Sequence, residues 1–531
     1  MRIVSPLAIS AVLFAAGTHA APALDSDHQL VYQSFGLESL TLGLTSKLSS
    51  AISSIFSRPS ATTFEGDEEK TIWELISSSE EFSQLAHVLN YSSDATKDIL
   101  KKKDNLTLFA PLNWHHHRDD DKEGFQDLSF GPASIQQWTG IEKQIADYER
   151  DYGLEANHHD GGDVDDDEEK KRRRELIRHL IDSTALYHLV RSDTVLDSKA
   201  IADNSSVATW LNTGKAHANN DGTDWRVRTG KSLLPIPAIY LNLYSRVVKP
   251  DVHTKNGVVH GIKYPLLLPP DVLQTLFFGQ TTFSTTTSGL QKVHVDKYLA
   301  YRPYHHAQHG HHGHHDHHDG EHKENWFNGW HHESNDSSHQ HFAGVAAETI
   351  FVPTNLAWSR LPWAFRAYLF SPWGYHLLQK VFMLHSLPND IVYADFVHHI
   401  SHKSHHESSY IAQAVHTVEA HANKTSYTFD TVLPSLDKNR KGEFEQLDVD
   451  VYRYYLLPGN KGPLQTRMVV QNVSVILQDL PASNGVAHAC DKLLKPKGHP
   501  EKGVWNEVAV AAEEAGFGRV DLVAEMQADL W

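Results

Sequence analysis

The densest chemistry in the sequence lies between His305 and His322, where ten of eighteen residues are histidine. The core of this tract is His306, His309, His311, His312, His314, His315, His317 and His318, close to a three-residue repeat with glycine and aspartate between. Neutral imidazole is a good ligand for Zn, Cu or Ni, and a flexible tract can wrap several rings around one ion. The same composition also makes a solvated spacer whose charge follows pH, so the residues leave both readings open. Smaller clusters stand at His115 to His117, His398-His399, His402 and His405-His406. With its 39 histidines neutral the chain carries a formal charge of −18, which argues against a general nucleic-acid binder.

Catalytic patterns are not visible. There is no Gly-x-Ser-x-Gly elbow, no His-Glu-x-x-His helix and no phosphate loop. Gly230-Lys231-Ser232 has Trp225 where such a loop needs its first glycine. The expectation is no enzyme and no required cofactor. A single cysteine, Cys490, excludes an intramolecular disulfide, and its apolar strand suits a buried, inert thiol. Asp165 to Arg174 changes sign abruptly and reads as a charged surface loop entering a helix through Leu176, Ile177, Leu180 and Ile181. Lys170 to Arg174 also has the composition of a secretory processing site.

Export follows from the N-terminus. Arg2, the apolar run Leu7 to Ala16 and Thr18-His19-Ala20 have the parts of a cleaved signal peptide over 1–20. No later stretch has the ~18 apolar residues needed to cross a bilayer. The charged end, with Glu513, Glu514, Arg519, Asp521, Glu525 and Asp529, is not a lipid-anchor tail. The expected compartment is the secretory route, ending outside the cell or in a vacuole lumen. Six sequons fit that route: Asn90, Asn105, Asn204, Asn335, Asn423 and Asn472. Asn472 falls in an alternating run, Val470 to Leu477, which predicts a strand with the asparagine facing outward.

A chain of 531 residues, 40% hydrophobic, can bury two to four domain cores. An internal repeat supplies the division. Leu106-Thr-Leu-Phe-Ala-Pro-Leu-Asn113 matches Thr349-Ile-Phe-Val-Pro-Thr-Asn355, each a short strand ending in a Pro and Asn turn. Asn256-Gly257-Val-Val-His260 matches Asn484-Gly485-Val-Ala-His488, each a tight hairpin signal followed by an apolar run. The strands read before these turns alternate through Ile239, Leu241 and Leu243, and through Val473, Val475 and Leu477. Between the landmarks lie helical stretches with Tyr187-His188 and Leu384-His385. Ile72, Leu75, Ile76, Phe82, Leu85 and Leu89 predict one amphipathic first helix.

These ordered blocks resemble the fasciclin-like family in two tandem copies. The resemblance implies an α+β fold: two domains, each a twisted β-sandwich or wedge with helices packed along one edge. The first copy departs at Leu112 and His115 to His117, and the second has Leu384 in place of the Tyr of the Tyr-His pair. The expected organisation is a signal peptide at 1–20, an extension at 21–67, domain 1 at 68–270, domain 2 at 271–497 and a C-terminal segment at 498–531. Block spacing places polar surface loops at about 115–171, 303–342 and 398–441. The resemblance implies adhesion through a protein or glycan surface partner, with Tyr187, His188 and His385 as interaction candidates. A lone histidine among apolar residues otherwise reads as a core hydrogen-bonder, and His260 and His488 share that reading. Contact with a membrane face is compatible with the absence of a span. A metal-binding or pH-responsive role through the histidine loops is the alternative.

Overall fold

The computed structural model describes residues 68–113, 130–152, 164–212, 222–232, 238–303, 342–399, 415–419, 422–435, 442–457 and 461–495. In the first half, Thr71 and Glu74 form a capping box that starts α1 (Ile72–Ser78), each side chain accepting the other residue's backbone N–H. A 3-10 turn, Glu80–Phe82, leads into α2 (Ser83–Asn90), and Ser93 caps α3 (Asp94–Lys102). The apolar residues expected to share one helix are all buried, but the helix is broken. Ser79 is extended (φ −92°, ψ 127°) at the end of three consecutive serines, whose side chains compete for backbone hydrogen bonds.

Next come β1 (Leu106–Pro111), α4 (Phe130–Tyr152) and α5 (Val164–His188). The stretch 115–171 was expected to be a surface loop, and its described part is helical instead. Trp138, Ile141 and Ile145 repeat at helical spacing and are buried against α1 to α3 and β1, so polarity elsewhere in the stretch concealed a packed face. The run at 165–174 lies within α5 rather than in a loop. Leu176 is outward and 64% exposed, while Ile177 and Ile181 are buried.

The sheet of the first half is completed by β2 (Leu189–Val190), β3 (Ser206–Ala208), β4 (Arg226–Ser232), β5 (Ala238–Leu241), β6 (Ser245–Thr254) and β7 (Gly257–Ile262), with α6 (Ser198–Asp203) before β3. Its order is β2-β1-β7-β6-β5-β4-β3, and β1 runs parallel to β7 from Leu106 beside Gly257 to Pro111 beside Ile262.

The second half repeats the plan. Helices α7 (Val272–Phe278), α8 (Gln280–Lys292) and α9 (Asp296–Leu299) precede a small pair, β8 (Arg302–Pro303) and β9 (Phe342–Ala343). Then follow β10 (Glu348–Pro353), α10 (Asn355–Ser359), α11 (Trp363–Leu369), α12 (Tyr375–His385) and β11 (Ser386–Pro388). A hairpin of β12 (Asp390–Tyr393) and β13 (Phe396–His399) forms a separate two-stranded sheet, with β12 buried. The remaining strands are β14 (Val415–Glu419), β15 (Ala422–Pro434), β16 (Phe444–Leu457), β17 (Lys461–Val470), β18 (Val473–Ala482) and β19 (Gly485–Cys490). The sheet runs β11-β10-β19-β18-β17-β16-β15-β14, with β10 parallel to β19 in the register that β1 keeps with β7. Both bodies are α+β, sheet and helices sharing a core.

Two further expectations are corrected. The polar stretch 398–441 contributes β14 and β15, because Thr425 to Phe429 alternates Thr, Ser, Tyr, Thr and Phe, residues that suit a half-buried pleat. Val470 to Leu477 is not one strand. Gln471 and Asn472 are left-handed (φ 48° and 64°) and turn β17 into β18, as a two-residue hairpin loop requires. Asn242 and Leu243 (φ 47° and 76°) are left-handed in the three-residue loop 242–244 between β5 and β6, so Ile239 to Leu243 lies one strand earlier than expected.

Candidate functional site

Each repeated block proves to be a set of hydrogen bonds that ties the elements together. Asn113 stands two residues after β1; its Oδ1 accepts Gln84 N–H at 3.1 Å and its Nδ2 donates to Glu80 O at 2.7 Å. Asn355 repeats this on Thr285 N–H and Thr281 O, both at 2.9 Å. In the Asn-Gly turns, Asn256 Oδ1 accepts Ile72 N–H at 2.8 Å and Asn484 Oδ1 accepts Val272 N–H at 2.9 Å, fixing the first helix of each half to its sheet. The glycine is demanded by close approach: a Cβ on Gly485 would lie 1.8 Å from Glu348 O, and φ there is 145°.

The histidines work in the same way. His188 Nδ1–H donates to Thr184 O at 2.7 Å, and Nε2 accepts Leu266 N–H at 2.8 Å. His385 makes the equivalent pair with Val381 O (2.7 Å) and Leu494 N–H (2.9 Å). A backbone N–H can only donate, so Nε2 must be bare and both rings neutral. His260 and His488 use the other tautomer. Their Nδ1 atoms accept from Asp251 N–H (3.2 Å) and Asp479 N–H (3.1 Å), and their Nε2–H groups donate to Leu196 O (3.0 Å) and Val392 O (2.7 Å). Burial, which disfavours the imidazolium, lowers His188, His385 and His488 to about 4 and moves His260 in the same direction. These are core hydrogen-bonders.

A second polar construction joins the two sheets. Asp395, at the tip of the β12–β13 hairpin, accepts Ser205 N–H at 3.0 Å, Ser206 N–H at 2.8 Å and the Ser206 hydroxyl at 2.5 Å. Arg226 lies 3.6 Å from the Asp395 carboxylate, and its guanidinium sits 4.4 Å from the Phe396 ring centre. Arg228 Nε donates to Gln478 O at 2.7 Å, and Arg453 donates to Asp203 O at 2.9 Å. Lys231 Nζ reaches Ala202 O and Leu464 O, and burial lowers it to about 8. Asp479, behind Arg228, is pushed up to about 7 by burial and then by the like charge of Asp395. Leu243 adds apolar contact, since it packs into the core of the second half. Every cation here is engaged by carbonyls or carboxylates, so the cluster ties the two sheets together.

The fasciclin domain model matches residues 166–269 and 339–496. The chain carries two fasciclin domains. A solved FAS1 domain pair from the insect cell adhesion molecule fasciclin I is similar at 12% identity, covering 80% of this chain and 98% of that one with a TM-score of 0.26. No curated protein matches. Fasciclin domains are associated with cell adhesion and extracellular interaction, and the family is of a non-enzymatic type.

Within these fasciclin domains the interaction candidates Tyr187, His188 and His385 are 0%, 3% and 0% exposed. The Tyr187 hydroxyl is engaged by Arg226 O and Asn242 Nδ2. None of the three presents a surface to a partner, because their polar atoms complete the core. His399 pairs with Asp390 at 2.7 Å and is raised by that hydrogen bond, so it is a hairpin tie. The tract His306 to His318, His115 to His117, His402, His405 and His406 lie outside the described residues, as does Asn335. Among the described residues no group of three His, Cys, Asp or Glu side chains is placed to hold a metal. Cys490 is fully buried and burial pushes its thiol up. Asn90, Asn105 and Asn472 are exposed, whereas Asn204 is half-buried with its amide on Ala200 O at 3.1 Å. Asn423 lies in β15. No helix among the described residues is long and apolar enough to cross a membrane.

Sequence reasoning missed two surface residues. Trp363 and Trp373 are 75% and 69% exposed, the most exposed of the large hydrophobic side chains among the described residues. The available signal was Pro362-Trp363 and Pro372-Trp373, indoles placed directly after helix-breaking prolines.

Proposed function

We propose that this is a secreted or vacuolar-lumenal glycoprotein that mediates adhesion or interaction at a cell surface, wall or membrane face. The observation that carries the reading is the weld through Asp395, Arg226, Arg228 and Lys231, which holds two fasciclin domains as one body. A rigid pair presents its outer faces in fixed register, which lowers the ordering cost of binding an extended partner. The repeated Asn and His side chains maintain the fold beneath those faces. Binding is non-covalent and needs no cofactor. The test is retention of cells on plates coated with the purified chain, against plates coated with albumin. Retention several-fold above albumin is expected; equal retention refutes the reading.

A second reading rests on the ten histidines between His305 and His322. Titration of the metal-stripped chain with Zn²⁺, Cu²⁺ or Ni²⁺ is expected to give saturable uptake at pH 7. Uptake should fall at pH 5, where imidazoles near their ordinary value of about 6.5 are protonated. Deletion of 305–322 should abolish it. Uptake unchanged by the deletion would place any metal elsewhere.

A further inference from the structure

The helical layer of the second domain differs in charge from the rest of the molecule. The whole chain carries 66 Asp and Glu, yet none occurs between Val272 and Val295 or between Thr349 and Asn389. Those stretches form α7, α8 and α10 to α12, and they carry Lys292, Arg360, Arg366 and Lys380. The corresponding helices of the first domain hold Glu74, Glu80, Glu81, Asp94 and Asp98. Acids stand only at its borders: Asp271 caps α7, Asp296 opens α9, and Asp491 lies 3.2 Å from Arg360 with Lys492 and Lys495 within the next four residues.

The two exposed indoles stand on this layer. Trp363 is the first residue of α11, and Trp373 follows its end, where Trp373 O accepts the Tyr368 hydroxyl at 3.4 Å. A seven-residue helix is roughly 10 Å long, so the indoles bracket one short span. Leu356, one turn before Arg360, is 55% exposed. Exposed indoles on helices that carry Lys and Arg but no Asp or Glu are matched to an interface that is apolar below and anionic above.

We propose that this face docks on a lipid surface bearing anionic headgroups, the indoles entering the headgroup layer while the cations meet phosphates. This rests on the adhesive reading above and gives it a membrane-face partner. A neutral polysaccharide fits less well. Its hydroxyls need carboxylates or free amides beside the stacking ring, and the Asn355 amide is already engaged by Thr281 O, Ser284 Oγ and Thr285 N–H.

The test is co-sedimentation of the full mature chain with vesicles of phosphatidylcholine alone or with phosphatidylserine added. Binding is expected with the anionic vesicles, weaker in high salt, and reduced at least about tenfold in Trp363→Ser/Trp373→Ser. Both side chains are exposed, so the variant should melt with the parent; Lys380→Glu provides an independent loss through charge. Equal binding by parent and tryptophan variant overturns the proposal. So does absence of vesicle binding by a chain that still retains cells, which leaves the adhesive reading standing. Indole-dependent capture on insoluble glucan without vesicle binding assigns the face to a sugar. Vesicle binding seen only after removal of 498–531 assigns the face to that segment, and this too overturns the proposal.

Discussion

Replacing His385 with glutamine is expected to cost about 2 kcal/mol at pH 7 and close to nothing at pH 5. At neutral pH the ring supplies both a donor for Val381 O and an acceptor for Leu494 N–H, a pairing that glutamine reproduces poorly. The pH dependence comes from burial. The folded ring sits at about 4, against an ordinary 6.5. Between those values the unfolded chain binds a proton that the folded chain excludes. The contribution of His385 is therefore complete above about 6.5 and is lost progressively as pH falls toward 4. At pH 5 that loss is about 2 kcal/mol, and the glutamine variant does not share it. Comparing variant with parent cancels the opposing groups. Asp479 and Glu348 are raised by burial, so they favour the folded chain as pH falls. Urea unfolding of both proteins at pH 7 and pH 5 gives the double difference. A gap that is the same at both values sinks the assignment of a neutral, buried ring. His188 and His488, also lowered to about 4, should behave alike.

The tandem architecture was legible because the fold needs particular residues at closely spaced positions. The Asn-Gly turns stand in sequence because only glycine allows β7 and β19 to start against β1 and β10, and only a short amide can cap α1 and α7 from there. The histidines were legible as core residues for a similar reason: each sits in an apolar context with its partners in one domain. What stayed hidden was non-local or diluted. Trp138, Ile141 and Ile145 sit within a strongly polar stretch, so a packed helix read as a loop. The left-handed pair Gln471 and Asn472 lacks glycine, and a period-two count ran straight through the turn. The interaction candidates failed differently. Tyr187, His188 and His385 were assigned from a resemblance, and for the two histidines that assignment ran against their apolar context, while the burial of Tyr187 depends on packing that local spacing does not report. Asp395 carried no local signal either, since its acceptor role depends on Ser206, 189 positions away.

That separation makes Asp395 the most consequential single residue in the weld. Changing it to alanine removes the acceptor for two backbone N–H groups and one hydroxyl, and it leaves Arg226 without its carboxylate. Arg226 and Asp395 side chains are 13% and 8% exposed, so water cannot restore the lost contacts cheaply. Breaking one partner of a buried pair typically costs about 3–5 kcal/mol. Here the loss falls on the junction rather than on either core, because the β12–β13 hairpin is held to its own domain by Thr349, whose hydroxyl donates to Asp390 O at 2.7 Å and accepts Val392 N–H at 2.9 Å. Asp395→Ala should therefore uncouple the domains before it unfolds them. The expected result is a parent that unfolds in one cooperative urea transition and a variant that unfolds in two, the first shifted to lower denaturant. Asp395→Asn, which keeps one acceptor oxygen for the serine N–H groups, should lie between them. A single transition in Asp395→Ala with the parent's midpoint would mean that the seam contributes nothing. The rigid-pair argument for adhesion would then lose its physical basis, because two independently moving domains present no fixed register to a partner.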